Sequence, residues 1–266
     1  MSKCFAALGS LMLLALGGAA GTEPAVLPPT AMQCWQQGQE ALRNGKADEA
    51  IALYRRSLQI DPKLSRNYLS LAAAYSGKGD DGRAVEYLAR YLQCQPDHVS
   101  VRAHLAEILL RLERPEAARL QFERCIVDLQ DGGEIEAEKL IHCEARLVKV
   151  AEILQDEYAE DLHRGIGLYL LACQRETVPD AEKEPSAQGL LFKAARELSA
   201  AGVERPEEAR PCWYLHKVWS RLAQQQPAER WLRAAADAAA FTDLTPAERR
   251  ELQTTCHSAA VLRARK

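Results

Sequence analysis

Four series of residues in this chain recur every 34 positions, and that spacing excludes most folds before composition is considered. Pro62 and Pro96 form one series, Gly45 and Gly79 a second, Ala50, Ala84 and Ala118 a third, and Tyr54, Leu88 and Phe122 a fourth. A fixed period of this length marks stacked supersecondary units. Within each unit the pattern predicts two antiparallel helices. The alanines let the helices of a pair approach closely, and the larger residue four positions later fills the space beside that contact. Gly45 and Gly79 end the first helix, because glycine takes left-handed dihedrals without steric cost. Pro62 and Pro96 stop the second helix. Each pair leaves an apolar face that only another pair can bury, so the units must stack.

The pattern is written once more, out of register. Residues 165–172 read GIGLYLLA and residues 50–57 read AIALYRRS. The later copy predicts the second helix of a fourth, degenerate hairpin over 133–175, with Gly165, Tyr169 and Ala172 standing where Ala50, Tyr54 and Ser57 stand. Its first helix is expected from about Glu134 to Leu154. A dinucleotide-binding reading of GIG fails, since the third glycine is absent and no strand precedes it. Residues 176–186, with two prolines, read as a loop. Apolar-periodic segments follow at 187–201, 211–224, 227–241 and 246–263, with Pro211 and Pro227 in first turns and a capping box at Thr245-Pro246-Ala247-Glu248. This region, 187–266, is expected to continue the stack or cover its end. No alternating strand pattern occurs, so the fold class is all-α.

These residues resemble the tetratricopeptide repeat family, in an exported, bacterial-type form. Trp35, Gly38, Gly45, Ala50, Tyr54 and Pro62 carry the resemblance in unit 31–64, and Leu71, Tyr75, Gly79, Ala84 and Pro96 in unit 65–98. Leu105, Ala118 and Phe122 carry it in unit 99–132, where Glu113 replaces the turn glycine and Gln130 the proline. The resemblance implies a right-handed superhelix of stacked helix pairs with degenerate C-terminal helices. It also implies a concave groove, lined by first helices, that receives a protein or peptide segment. Carried over residue by residue, the groove is lined by Met32, Trp35, Gln39, Arg43, Arg66, Leu69, Ala73, Ser100, His104, Glu107 and Arg111, with Leu42 and Ala103 beside them. Trp35 and Arg66 stand out, since aromatics and arginine dominate interface energetics. Family members that clamp a chaperone's terminal carboxylate use paired Lys and Asn. Here Trp35, Gln39, Ser70, Ser100 and His104 occupy those places, so that clamp is missing.

The N-terminus reads as an export signal. Lys3 precedes an uncharged apolar run from Phe5 to Leu16, and small residues at Gly18 to Gly21 offer a cleavage site near Ala20/Gly21. Residues 1–21 are therefore a signal peptide or, if uncut, an anchor, followed by a linker at 22–30. The expected location is periplasmic or otherwise extracytoplasmic, with membrane contact only through an uncut N-terminus. Of eight cysteines, seven follow the signal, spread along helical patterns as small buried apolar residues. One or two pairs between neighbouring helices are compatible with export.

Acidic and basic residues nearly balance at 37 and 34, which argues against a nucleic-acid partner. Catalytic signatures are absent. His104, His142, His163, His216 and His257 lack partners at metal-binding helical spacing, and neither Cys-x-x-Cys nor His-Glu-x-x-His occurs. No metal or cofactor is expected, and no enzyme. Two alternatives to a scaffold stay open: a docking module joined to a working domain at 134–266, marked by a pocket holding His142 or His163 beside a carboxylate with a perturbed pKa, or a structural part of a cell-envelope assembly using the Trp-rich end.

Overall fold

The computed structural model describes residues 29–132, 136–176, 186–238 and 244–264, and the export signal with most of the linker lies outside them. Among the described residues there are twelve α-helices and no strand. The first six form three pairs: α1 (Ala31–Arg43) with α2 (Ala47–Ile60), α3 (Arg66–Gly77) with α4 (Asp81–Cys94), and α5 (Val99–Arg111) with α6 (Pro115–Asp131). A longer fourth pair follows, α7 (Ala137–Leu154) and α8 (Glu157–Glu176). Then come α9 (Ala187–Glu204), the pair α10 (Ala209–Arg221) and α11 (Gln225–Ala238), and α12 (Pro246–Ala264). Successive helices pack on one another along the chain, and α12 turns back onto α6.

Thr30 starts the stack with a capping box. Its hydroxyl accepts from the Gln33 N–H at 3.2 Å, and its own N–H donates to the Gln33 side chain at 2.8 Å. Ala50, Ala84 and Ala118 are fully buried, and so are Tyr54 and Phe122. Tyr54 lies across α1 so closely that a Cβ on Gly38 would sit 2.5 Å from its ring. One continuous core runs from Ala41 to Val150, and a second begins at Tyr158 and reaches Leu252.

The turns share one geometry. Gly45 and Gly79 have φ of +75° and +79°. The Gly45 N–H donates to the Leu42 carbonyl and the Lys46 N–H to the Ala41 carbonyl, the paired bonds that close a helix with a left-handed residue. The same two bonds recur around Glu113 (φ +55°), Gln155 (+56°) and Ala223 (+55°), the other non-glycine positions of that kind among the described residues. Each of the five helix pairs is thus closed by the same turn. The α10/α11 pair even keeps the repeat's internal frame: Ala228 and Leu232, both buried, lie five and nine residues past Ala223, as Ala50 and Tyr54 lie past Gly45.

A non-glycine residue pays a steric cost of about 1–2 kcal/mol for left-handed dihedrals. Glu113 is exposed, so its side chain gives little back. Glu113→Gly is expected to raise stability by about 0.5–1 kcal/mol, the steric relief less the extra entropy of glycine in the unfolded chain. Urea unfolding measures it, and an unchanged midpoint would refute the strain.

The GIGLYLLA segment does form the second helix of the fourth pair, but its register differs from the expected one. Counted from the turn residue, Gly165 lies ten positions past Gln155, whereas Ala50 lies five past Gly45. The physical reason is α9. Gly165 is buried against Leu198, and a Cβ there would lie 2.6 Å from Leu198 Cγ. The small residue admits the following helix, not the preceding one, and α8 packs most extensively against α9.

Candidate functional site

The proposed groove residues fall on the first helix of each pair: Met32, Trp35, Gln39 and Arg43 on α1; Arg66, Leu69 and Ala73 on α3; Ser100, His104, Glu107 and Arg111 on α5. Spacings of three and four keep each set on one helix face. Met32, Arg43, Arg66, Ala73, Ser100, His104 and Arg111 are exposed, and the other four are half-buried. Leu42 and Ala103 pack at the edge of the first core.

Several of them are spent on joining one unit to the next. The Trp35 indole N–H donates to Ser70 Oγ at 2.9 Å, and the Gln39 amide donates to the same oxygen at 3.0 Å. The Arg66 guanidinium stacks 5.1 Å from the Trp35 ring centre. Trp35, the strongest anchor by residue type, is thus tied into the α1–α3 joint, with Arg66 as its cover. Arg111 forks onto both Asp81 oxygens at 2.8 Å and reaches Ser76 at 3.3 Å, joining the second unit to the third. That guanidinium holds the Asp81 carboxyl below the usual carboxylate range. Glu107 accepts from Arg146 on α7 at 2.7 Å and lies 3.6 Å from His142. The face is held by these polar joints, which no local spacing reveals.

What is left facing outward is distinctive. Arg43 and Arg66 have no carboxylate partner among the described residues; Arg43 donates only to its own helix, at the Gln39 carbonyl. Ala73 on α3 and Ser100 and His104 on α5 are exposed as well.

A second polar assembly lies at the far end. Glu248, on the first turn of α12, is buried and accepts from Arg210 at 3.1 Å, from Tyr214 at 2.8 Å and from the Thr245 N–H at 3.0 Å. Burial would raise the Glu248 carboxyl, but the Arg210 guanidinium and the Thr245 and Tyr214 donors outweigh it and hold it below the ordinary range. Gln130 and Asp131 at the end of α6 bond to Thr245 and Arg250, which fastens α12 to the third unit. The capping box read at Thr245 is present: the Glu248 N–H donates to Thr245 Oγ1 at 3.2 Å.

Next to this network His163 lines a cavity of about 380 Å³ with Arg119, Asp156, Arg205 and Arg210. Its Nδ1 is bonded to the buried Glu144 carboxylate at 2.7 Å. The cavity lining includes no serine or cysteine to act as a nucleophile. Asp156 already accepts from Arg205 at 3.3 Å and caps α8 through the Ala159 N–H. His142 lies elsewhere, exposed beside Glu107. Among the described residues no group of three or more His, Cys, Asp or Glu is placed to hold a metal ion, and no helix is long and apolar enough to cross a membrane. Trp213 is buried in the second core, with Trp219 and Trp231 packed against it.

Residues 41–98 match the family model of the tetratricopeptide repeat. Similar solved structures include PilW, described as a widely conserved type IV pilus biogenesis factor, with 18% identity over 85% of this chain and 98% of that one and a TM-score of 0.40. They also include BtubC from P. vanneervenii (17% identity, 79% of each chain, TM-score 0.43) and MamA from Desulfovibrio magneticus RS-1 (16% identity, 80% of this chain and 97% of that one, TM-score 0.35). The matched segment runs from the last turn of α1 through α4, so residues 41–98 carry the tetratricopeptide repeat, and the same left-handed turn closes every helix pair among the described residues.

Proposed function

We propose that the protein is an exported, non-enzymatic scaffold whose first-helix face holds an acidic segment of a partner protein. The observation that carries this reading is the two exposed arginines Arg43 and Arg66, which have no carboxylate partner among the described residues and share the first-helix positions with exposed Ala73, Ser100 and His104. A guanidinium with no carboxylate partner among the described residues, on a face otherwise tied by internal bonds, offers a fork suited to a partner's carboxylates. Trp35 acts from beneath by positioning Arg66. The charged, uncharged and small-residue order of residues 1–21 supports export to the periplasm.

The test uses an array of peptides graded from acidic to basic, probed with the full chain. Acidic peptides are expected to be retained, with binding that weakens as salt rises. Arg43→Glu/Arg66→Glu should abolish retention while far-ultraviolet circular dichroism stays unchanged. Ala73→Trp, which crowds the face without changing its charge, should weaken it independently. Equal retention of basic and acidic peptides, or retention by the double variant, would reject this face as the binding surface.

A further inference from the structure

We infer that the cavity between α6, α8 and the start of α12 binds a small organic anion, with a carboxylate at one end, an apolar body and a hydroxyl at the other. Its volume of about 380 Å³ falls in the usual range for small-molecule sites, about 300–1,000 Å³. The buried wall is apolar and comes from both cores, with Ile126 from the first and Leu162 and Leu244 from the second. An apolar lining with a few convergent polar groups is the ordinary make-up of a ligand pocket. The cavity shares no residue with the first-helix face of Arg43 and Arg66, so the two sites stand or fail separately.

The polar groups define the two ends of the ligand. Arg119 and Arg205 are the part-exposed cations of the lining, and Asp156 lies near both. One Asp156 oxygen accepts from Arg205 at 3.3 Å, while the other stands 3.6 Å from Arg119, too far for a hydrogen bond. Glu123, one turn along α6, is 4.0 Å from Arg119 and half in solvent, a pair that contributes little. Among the described residues Arg119 makes no hydrogen bond, so its planar fork of N–H donors is open to a carboxylate. Arg210, the third arginine, is taken by Glu248. His163 marks the buried end, with only 6% of its side chain exposed. Its Nδ1 is held at 2.7 Å by Glu144, which lies outside the cavity lining. The two ring nitrogens point in nearly opposite directions, which leaves Nε2 as the one available to the cavity. Nε2 has no hydrogen-bond partner among the described residues, and buried polar atoms are ordinarily bonded, so a hydroxyl that reaches it is favoured there.

Isothermal titration calorimetry on the full chain tests this with three probes of one size. 4-Hydroxyphenylacetate carries both end groups, phenylacetate lacks the hydroxyl, and tyramine keeps the hydroxyl but replaces the anion with a cation. 4-Hydroxyphenylacetate is expected to bind, phenylacetate to bind roughly three- to tenfold more weakly, and tyramine not to bind measurably. The phenylacetate comparison tests the His163 contact without disturbing the buried Glu144. Arg119→Gln/Arg205→Gln changes two part-exposed side chains and should weaken 4-hydroxyphenylacetate roughly tenfold or more, the worth of charge-assisted hydrogen bonds. Val127→Phe fills the cavity from its half-buried α6 wall without changing charge, and it should abolish binding while circular dichroism stays unchanged. Arg43→Glu/Arg66→Glu should leave the affinity as it was. Absence of heat from 4-hydroxyphenylacetate at millimolar concentration, or equal binding of tyramine, would overturn the site. So would an affinity untouched by the arginine or Val127 variants, and equal affinity of the two anions would remove His163 from it.

Discussion

Arg210→Met is expected to destabilise the protein by about 3–5 kcal/mol, lowering the melting temperature on the order of 10 °C. Arg210 and Glu248 are both almost wholly buried, and the ion pair between them is supported by Tyr214 and Thr245. Removing the guanidinium leaves a carboxylate in the core with its charge uncompensated, and that orphaned charge is the main cost. The second half of the experiment separates this account from simple loss of packing. Arg210→Met/Glu248→Leu removes both charges and should recover most of the loss, although the Thr245 N–H then loses its partner. A double variant as unstable as the single one would show that the charges do not act as a pair.

The same network sets an acid limb. The folded Glu248 carboxyl is held below its ordinary value, so its contribution is fully present above the unfolded glutamate value of about 4.3 and is lost as pH falls through the depressed one. The double variant lacks that group, and its stability should fall less steeply over the same acid range. Detachment of α12 from α6 is the expected structural result, because Thr245 and Glu248 supply its anchoring bonds.

The repeats were legible wherever each residue type answers to a local demand. Glycine at 45 and 79 meets a left-handed turn, alanine at 50, 84 and 118 meets a close helix contact, and both recur at the helix-pair period. Glu113, Gln155 and Ala223 take the same dihedrals without glycine, so the turns they build carry no signature. That is why the α10/α11 pair, though it keeps the repeat's frame at Ala228 and Leu232, could be read only as two periodic segments. The return of α12 onto α6 was invisible for another reason: Gln130 and Thr245 are 115 residues apart, and a pairing over that distance leaves no period. The named positions do fall on the first helices α1, α3 and α5, but the bonds among them were not legible. Trp35 looked like a free anchor, whereas its indole N–H is bonded to Ser70 and its ring is covered by Arg66. Glu107 and Arg111 likewise meet partners 39 and 30 residues away.

Gly165→Leu is expected to cost about 3 kcal/mol, near the upper end for overpacking a rigid core. A Cβ at this position would lie 2.6 Å from Leu198 Cγ, 2.9 Å from its Cδ2 and 3.2 Å from its backbone nitrogen, so the side chain and the α9 backbone must both give way. Gly167, two residues on in the same motif, provides the internal contrast. Its Cβ would meet only Glu144 Cβ, at an ordinary 3.6 Å, and Gly167→Ala should stabilise by about 0.5–1 kcal/mol through helix propensity alone. A double-mutant cycle completes the comparison. Leu198→Ala by itself opens a cavity and costs about 2–5 kcal/mol. Combined with Gly165→Leu it should cost less than the sum by about 1–3 kcal/mol, because the new side chain occupies the vacated space. Relief will be incomplete, since the Leu198 backbone nitrogen stays where it was. Additive losses in chemical denaturation would mean that α8 and α9 do not meet at this point, and the role of the small residue in GIGLYLLA would have to be sought against α7 instead.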